Sequence, residues 1–326
     1  MLIRIYKNNN LTLGILLPLI ALAFWLPGFF SEKEFFFSGK AMPLFSLAQS
    51  LFSGNKILAL SIAVLLIISE ALLLNYIIQE FHLLKSQTFL PALVYIVLMS
   101  SIPEVLLLHP VLFSNLFLIL AFKRGLDLSG SSNSSSSAFD SAFFISIGSL
   151  FYFPAFLFLI FVWLSLVAFR SFSFRDFLIA IIGICLPYLF AGVYYYWFDE
   201  AKLFLSEIFF HTTTGGAFKE LIFLKSFYAF LIFLLIIIVM SIPPFLTEMG
   251  RNKAGIRSSL RLFIWFGMIA VVSFIIAPSY SLFHFCFAAI PLSIIFSNLF
   301  LNLKPAFSEI IFSLLILFII IYRINY

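Results

Sequence analysis

The chain has 326 residues, of which 63% are hydrophobic and only 10% charged, against roughly 45–50% and about 25% in an ordinary soluble domain. A soluble chain of this length cannot bury that much apolar surface, so lipid must solvate much of it. The net charge of +5 is spread between apolar segments, which excludes the dense basic patch of a nucleic-acid binder. Cys185 and Cys286 lie inside apolar runs with no His or Cys at ligand spacing, so they read as packing residues and exclude a disulfide framework or a zinc site.

In chain order, Arg4 and Lys7 precede an apolar stretch whose Ala21-Leu22-Ala23 step resembles a signal-peptide cleavage site. Apolarity continues to Phe30, which predicts a retained first helix over 11–30. A polar stretch, 31–55, then carries Ser31-Glu32-Lys33-Glu34, Gly39-Lys40 and the segment Met42–Phe52. In that segment Leu44, Leu47, Leu51 and Phe45, Ala48, Phe52 recur at helical spacing, which predicts a short interfacial helix.

The next span, 56–78, contains Glu70 and Asn75; a lone carboxylate at that depth needs a partner inside the bundle. Residues 88–122 are broken by Pro103 and Pro110 around Glu104, and 139–169 are broken by Pro154. Each is either one kinked helix or a hairpin of two short ones. Between them Gly130–Ala138, with its serine run, reads as a flexible linker. Further spans follow at 176–198, 221–246, 259–277, 281–301 and 305–323, with His284 expected to pack or hydrogen-bond. The run Leu221–Leu246 shows none of the alternation of a membrane β-barrel.

Positive charge decides the ambiguous regions. Lys85 precedes the first and Lys123 with Arg124 follows it, while Arg170 and Arg175 follow the second. Cytoplasmic loops collect Lys and Arg, so each region crosses an even number of times. Seven clear segments and two hairpins make about 11 spans. The fold class is an all-α polytopic transmembrane bundle with the N-terminus inside and the C-terminus outside. It is a single membrane domain over 1–326, expected in a bacterial cytoplasmic membrane. This topology places 12 of the 19 basic residues inside.

Chemistry is then expected at the outer face. Glu32, Glu34 and Glu104 are the candidate catalytic carboxylates. Lys40, Lys202, His211, Thr212, Thr213 and Gly215 are the candidate substrate-binding residues, because hydroxyls, backbone N–H groups and lysines suit an anionic group such as phosphate. Nucleotide-binding and zinc-protease motifs are absent.

The inside N-terminus, the acidic loop and interfacial helix after the first span, and Glu104 in Ser-Ile-Pro-Glu-Val resemble the GT-C superfamily of lipid-linked-sugar glycosyltransferases. The segment Phe139–Pro154, Leu159, Arg170 and Gly183–Pro187 extends that likeness over residues 1–200, leaving 201–326 as an outer loop plus C-terminal helices. The resemblance implies sugar transfer from a polyprenyl-phosphate carrier, with an outer carboxylate as base or as ligand to Mg²⁺ or Mn²⁺. Membrane lipid is the implied partner; other membrane proteins are partners under the alternative, a non-enzymatic subunit or scaffold of an envelope complex. A transporter is the third reading; it requires internal repeats and interrupted helices.

Overall fold

The computed structural model describes residues 2–7, 11–30, 37, 42–52, 54–128, 134–169, 173–202, 204–206, 208, 225–276 and 282–325. Among these the regular structure is helical throughout. The first half comprises α1 (Leu2–Tyr6), α2 (Leu11–Phe30), α3 (Pro43–Phe52), α4 (Lys56–Glu80), α5 (Leu90–Met99), α6 (Pro110–Asp127), α7 (Ser134–Phe151) and α8 (Leu159–Ala168). The second comprises α9 (Phe174–Trp197), α10 (Lys225–Arg251), α11 (Ala254–Ile276), α12 (Phe285–Asn302) and α13 (Pro305–Asn325). Three 3₁₀ turns, Pro103–Val105, Phe153–Phe158 and Leu282–His284, interrupt the sequence of α-helices.

Six helices, Lys56–Glu80, Phe174–Trp197, Ser226–Arg251, Ala254–Ile276, Phe285–Asn302 and Pro305–Asn325, are long and apolar enough to cross a membrane. Their outward faces are apolar, with Phe190, Val193, Ile232, Leu235, Ile275 and Ile310 all exposed. In water such a continuous surface would drive association; in a bilayer it meets hydrocarbon. The chain is a multi-pass membrane protein.

The proline-broken regions are each two helices, not one kinked helix. Pro110 stands at the first position of α6, where its missing N–H costs nothing, and Pro103 starts the turn between α5 and α6. Pro154 starts the 3₁₀ stretch that separates α7 from α8. α5 has ten residues and every one is buried. It packs against α4 and α12, with α2 alongside.

The serine run corrects the linker expected there. From Ser134 onward it is the first turn of α7. The physical reason lies on another helix: the Ser134 and Ser135 hydroxyls donate to the two carboxylate oxygens of Asp176 in the first turn of α9. Composition alone cannot reveal a partner forty residues away. Residues 129–133 lie outside the described residues.

Polar contacts gather at two ends of the bundle. At one end Lys7 Nζ donates to Leu303 O (3.4 Å), and burial lowers the Lys7 ammonium below the ordinary lysine range. Asp176 lies at this end too, and Lys123 pairs with Glu80 (3.2 Å) and Arg124 with Asp140 (3.3 Å). At the other end the Arg323 guanidinium donates to Phe24 O (2.7 Å) and to Ser100 O, and Trp25 Nε1 donates to Ser100 Oγ (3.1 Å).

α7 and α9 approach closely because Gly183 has no side chain: a Cβ there would lie 2.7 Å from Phe139 O and 3.2 Å from Ala142 Cβ. Small residues at such crossings are how membrane helices pack without a hydrophobic driving force. Gly183→Leu should therefore destabilise the fold by about 1–3 kcal/mol through overpacking. Gly250→Leu, at a position with nothing within 4 Å, should leave the thermal unfolding midpoint in detergent unchanged.

Candidate functional site

The end of the bundle that holds Arg323 also collects the stretches in which chemistry is expected. Phe37, three residues after Glu34, donates its backbone N–H to Leu108 O (3.3 Å), in the turn that follows Glu104. Its ring meets Phe45 of α3 edge-on (centroids 6.2 Å) and Phe283 ahead of α12 (5.5 Å). Phe283 in turn stacks on His109 (4.7 Å), a fully buried residue whose two ring nitrogens have no hydrogen-bond partner among the described residues. The interfacial helix takes its place through Phe45 and Ala48, which are buried, while Leu51 of the same helix is 75% exposed.

α9 reaches this assembly through Tyr195, whose hydroxyl donates to Pro43 O (3.2 Å) and meets Ser46 Oγ (3.3 Å) on α3. Lys202 follows a few residues later and is exposed. Of the other expected site residues, Glu104 has its backbone in the Pro103–Val105 turn, while its side chain lies outside the described structure. Glu32, Glu34, Lys40, His211, Thr212, Thr213 and Gly215 lie outside the described residues. The structure thus brings together the backbone segments that flank three of the expected regions. Among the described residues no group of three His, Cys, Asp or Glu side chains could hold a metal.

Beside this assembly a cavity of about 280 Å³ opens between α5, α10, α11 and α12. Phe230 and Leu234 of α10, Ala270 of α11 and Ala289 of α12 line it, as do Ile102 and Val105, on either side of Glu104. Ser101 and His284 are its polar lining. His284 is held by Tyr152, whose hydroxyl lies 3.0 Å from Nδ1, which is the hydrogen-bonding role expected for it. No sequence signal could have found this cavity, because its walls come from four helices separated by up to two hundred residues.

Deeper in the bundle lies a buried polar chain. Tyr95 Oη of α5 donates to Glu70 Oε2 of α4 (2.9 Å), which supplies the partner expected for that carboxylate. Asn115 Nδ2 of α6 donates to Cys286 O of α12 (3.1 Å) and reaches Tyr95 Oη (3.4 Å) and Met99 Sδ (3.7 Å). Glu70 and Asn115 are both 0% exposed.

Fold and site together define an all-helical, multi-pass membrane protein with an apolar intramembrane cavity beneath a turn that carries an acidic residue. Residues 26–326 match a family of unknown function (DUF6427), and the chain belongs to that family. No curated protein and no solved structure matches it.

The Tyr95–Glu70 pair generates a stability prediction. Tyr95→Phe removes the only donor to a buried carboxylate among the described residues and should cost about 1–3 kcal/mol. Adding Glu70→Leu should recover much of that loss, because neither the carboxylate nor its donor is then left buried and unpaired. A double-mutant cycle on unfolding midpoints in detergent measures the coupling directly.

Proposed function

We propose that this chain is a GT-C-like transferase that moves a sugar from a polyprenyl-phosphate carrier at the outer face of a bacterial cytoplasmic membrane. The observation that carries the reading is the Phe37–Leu108 backbone hydrogen bond beside the apolar cavity. It ties the loop bearing Glu32 and Glu34 to the turn bearing Glu104, at a slot whose apolar walls suit an isoprenoid chain.

The topology belongs to the same reading: about eleven crossings, with the N-terminus inside and the C-terminus outside. The contacts that support it pair Lys7 with Leu303 at one end and Arg323 with Phe24 and Ser100 at the other. Contacts at opposite ends of the bundle for the first and last helices are in keeping with an odd number of passes. α5, α6, α7 and α8 with its preceding 3₁₀ stretch are the four hairpin arms.

Chemically, one of Glu32, Glu34 and Glu104 takes the proton from an acceptor hydroxyl as its oxygen bonds the anomeric carbon. The bond from that carbon to the phosphate oxygen breaks, and polyprenyl phosphate leaves with the electron pair. Lys202 and the His211, Thr212, Thr213 and Gly215 loop neutralise the phosphate. Lys40 contributes further positive charge on the first loop. A bound Mg²⁺ or Mn²⁺ would add Lewis-acid assistance at the phosphate.

The test is complementation of a deletion strain with Glu32→Gln, Glu34→Gln and Glu104→Gln, scoring envelope glycan composition and membrane levels. At least one variant should lose a glycan while accumulating normally. Full function from all three overturns the transferase and favours a non-enzymatic scaffold. Ala289→Trp, which fills the cavity, should reduce the same glycan while the protein still reaches the membrane.

A further inference from the structure

The polar chain across α4, α5, α6 and α12 is not used by the transferase reading, and its hydrogen bonds do not close. Glu70 Oε2 accepts from Tyr95, but among the described residues Oε1 has no hydrogen-bond partner, and neither does Asn115 Oδ1. Both residues are fully buried. The amide orientation is fixed from the other side, because Asn115 Nδ2 is committed to Cys286 O at 3.1 Å. Turning the amide over would aim Oδ1 at a carbonyl oxygen. Two oxygens with lone pairs, one of them on a carboxylate, are therefore held without a donor at a depth where neither water nor lipid routinely supplies one.

Such a pair of acceptors is complemented by a positive charge, and the charge count limits which. The surroundings of Glu70 are otherwise neutral. α2 and α3 carry no titratable side chain in their sequences. α5 contributes Tyr95 and α12 contributes Cys286. The charged groups of α6, Lys123, Arg124 and Asp127, sit at its far end, where Lys123 pairs with Glu80. Glu80 lies ten residues from Glu70 on α4, which is about 15 Å along the helix. One carboxylate thus faces the site, and a single positive charge makes it neutral. A divalent ion would leave an uncompensated charge in a low-dielectric interior, at a penalty of several kcal/mol.

We propose that Glu70 and Asn115, held by Tyr95 and by the Cys286 carbonyl, form an intramembrane site for one monovalent cation, either a sodium ion or a proton. Carboxylate, amide and phenol oxygens are hard donors suited to sodium. A proton on Glu70 serves the same charge balance, since it neutralises the carboxylate while Tyr95 still donates to it. Entry is through the apolar cavity, whose walls include Met99 and Cys286, both of which touch Asn115. The site stands independently of the transferase assignment, because it lies on other residues.

The test is infrared difference spectroscopy on the full-length protein in lipid nanodiscs. Sodium chloride is exchanged for choline chloride at constant ionic strength, over buffers from acid to alkaline. The carbonyl stretch of protonated Glu70 is identified by its loss in Glu70→Gln. Loss of that band on adding sodium at fixed pH, with choline inert, identifies a sodium site. A band that titrates with pH and ignores sodium identifies a proton site. A band, or an absence of one, that responds to neither overturns the proposal and leaves Glu70 a fixed structural group. Once Glu70→Gln has assigned the band, the wild-type protein decides between these outcomes. Asn115→Leu, checked for monodisperse elution, should weaken sodium displacement severalfold or shift the titration.

Discussion

The enclosure of α5 is the constraint on which the rest of the architecture depends. Its ten residues cover about 15 Å, half the thickness of a hydrocarbon core of about 30 Å, so the backbone on either side of it is irregular at membrane depth. Irregular backbone survives there only where protein satisfies its polar groups. The described contacts show how this is done at the C-terminal end of α5. Trp25 donates to the Ser100 hydroxyl, Ser101 bonds back to Leu98 O, and Arg323 donates to Ser100 O. A guanidinium at a helix C-terminus also meets the negative end of the helix dipole. α2, α4 and α12 pack around α5, and Arg323 of α13 closes its C-terminal end, because an incomplete shell would leave those groups facing lipid.

The same logic governs the second broken region, with aromatic packing in place of hydrogen bonds. α8 is also ten residues long and is entered through the 3₁₀ stretch Phe153–Phe158. Phe158 packs on Phe266 of α11 (4.5 Å) and on Phe287 of α12 (5.2 Å). Phe122 of α6 stacks on Phe161 of α8 (5.1 Å) and lies 4.2 Å from Phe263 of α11. These rings bury large areas while presenting few polar atoms, so they wedge four helices together without creating unsatisfied groups.

How much of this was legible in the sequence depended on whether the signal was local. Prolines and flanking positive charges are local, and they indicated two helices in each broken region. The spacing of Leu44, Leu47, Leu51 and of Phe45, Ala48, Phe52 is local, and it gave α3, but not that Phe45 and Ala48 are buried while Leu51 is exposed. The identity of Glu70's partner was not legible, because Tyr95 lies 25 residues away on another helix and nothing in its own neighbourhood marks it. The serine run misled for the same reason: Asp176 supplies acceptors that composition cannot show. Arg323 carries no local mark either, since its hydrogen bonds reach across 299 and 223 residues of sequence. The carboxylates singled out from the sequence were placed by layout alone, and only the backbone around one of them, Glu104, falls within the described structure.

The long helices and the broken ones divide the work of the fold. α9 shows a lipid-facing surface along most of its length and is held chiefly through α7 at Gly183. α5, by contrast, has no lipid face and spends its whole surface on neighbours. Breaking a helix inside the bundle frees backbone groups, and freed groups demand polar side chains such as Ser100, Ser101 and Asn115. Those side chains then stand beside an apolar cavity that shares Met99 and Cys286 with the polar chain. A uniform bundle of full-length spans would have placed neither feature at its centre. The interruptions at Pro103 and Pro154 are therefore what lets a chain with 10% charged residues keep a polar, structured interior within lipid.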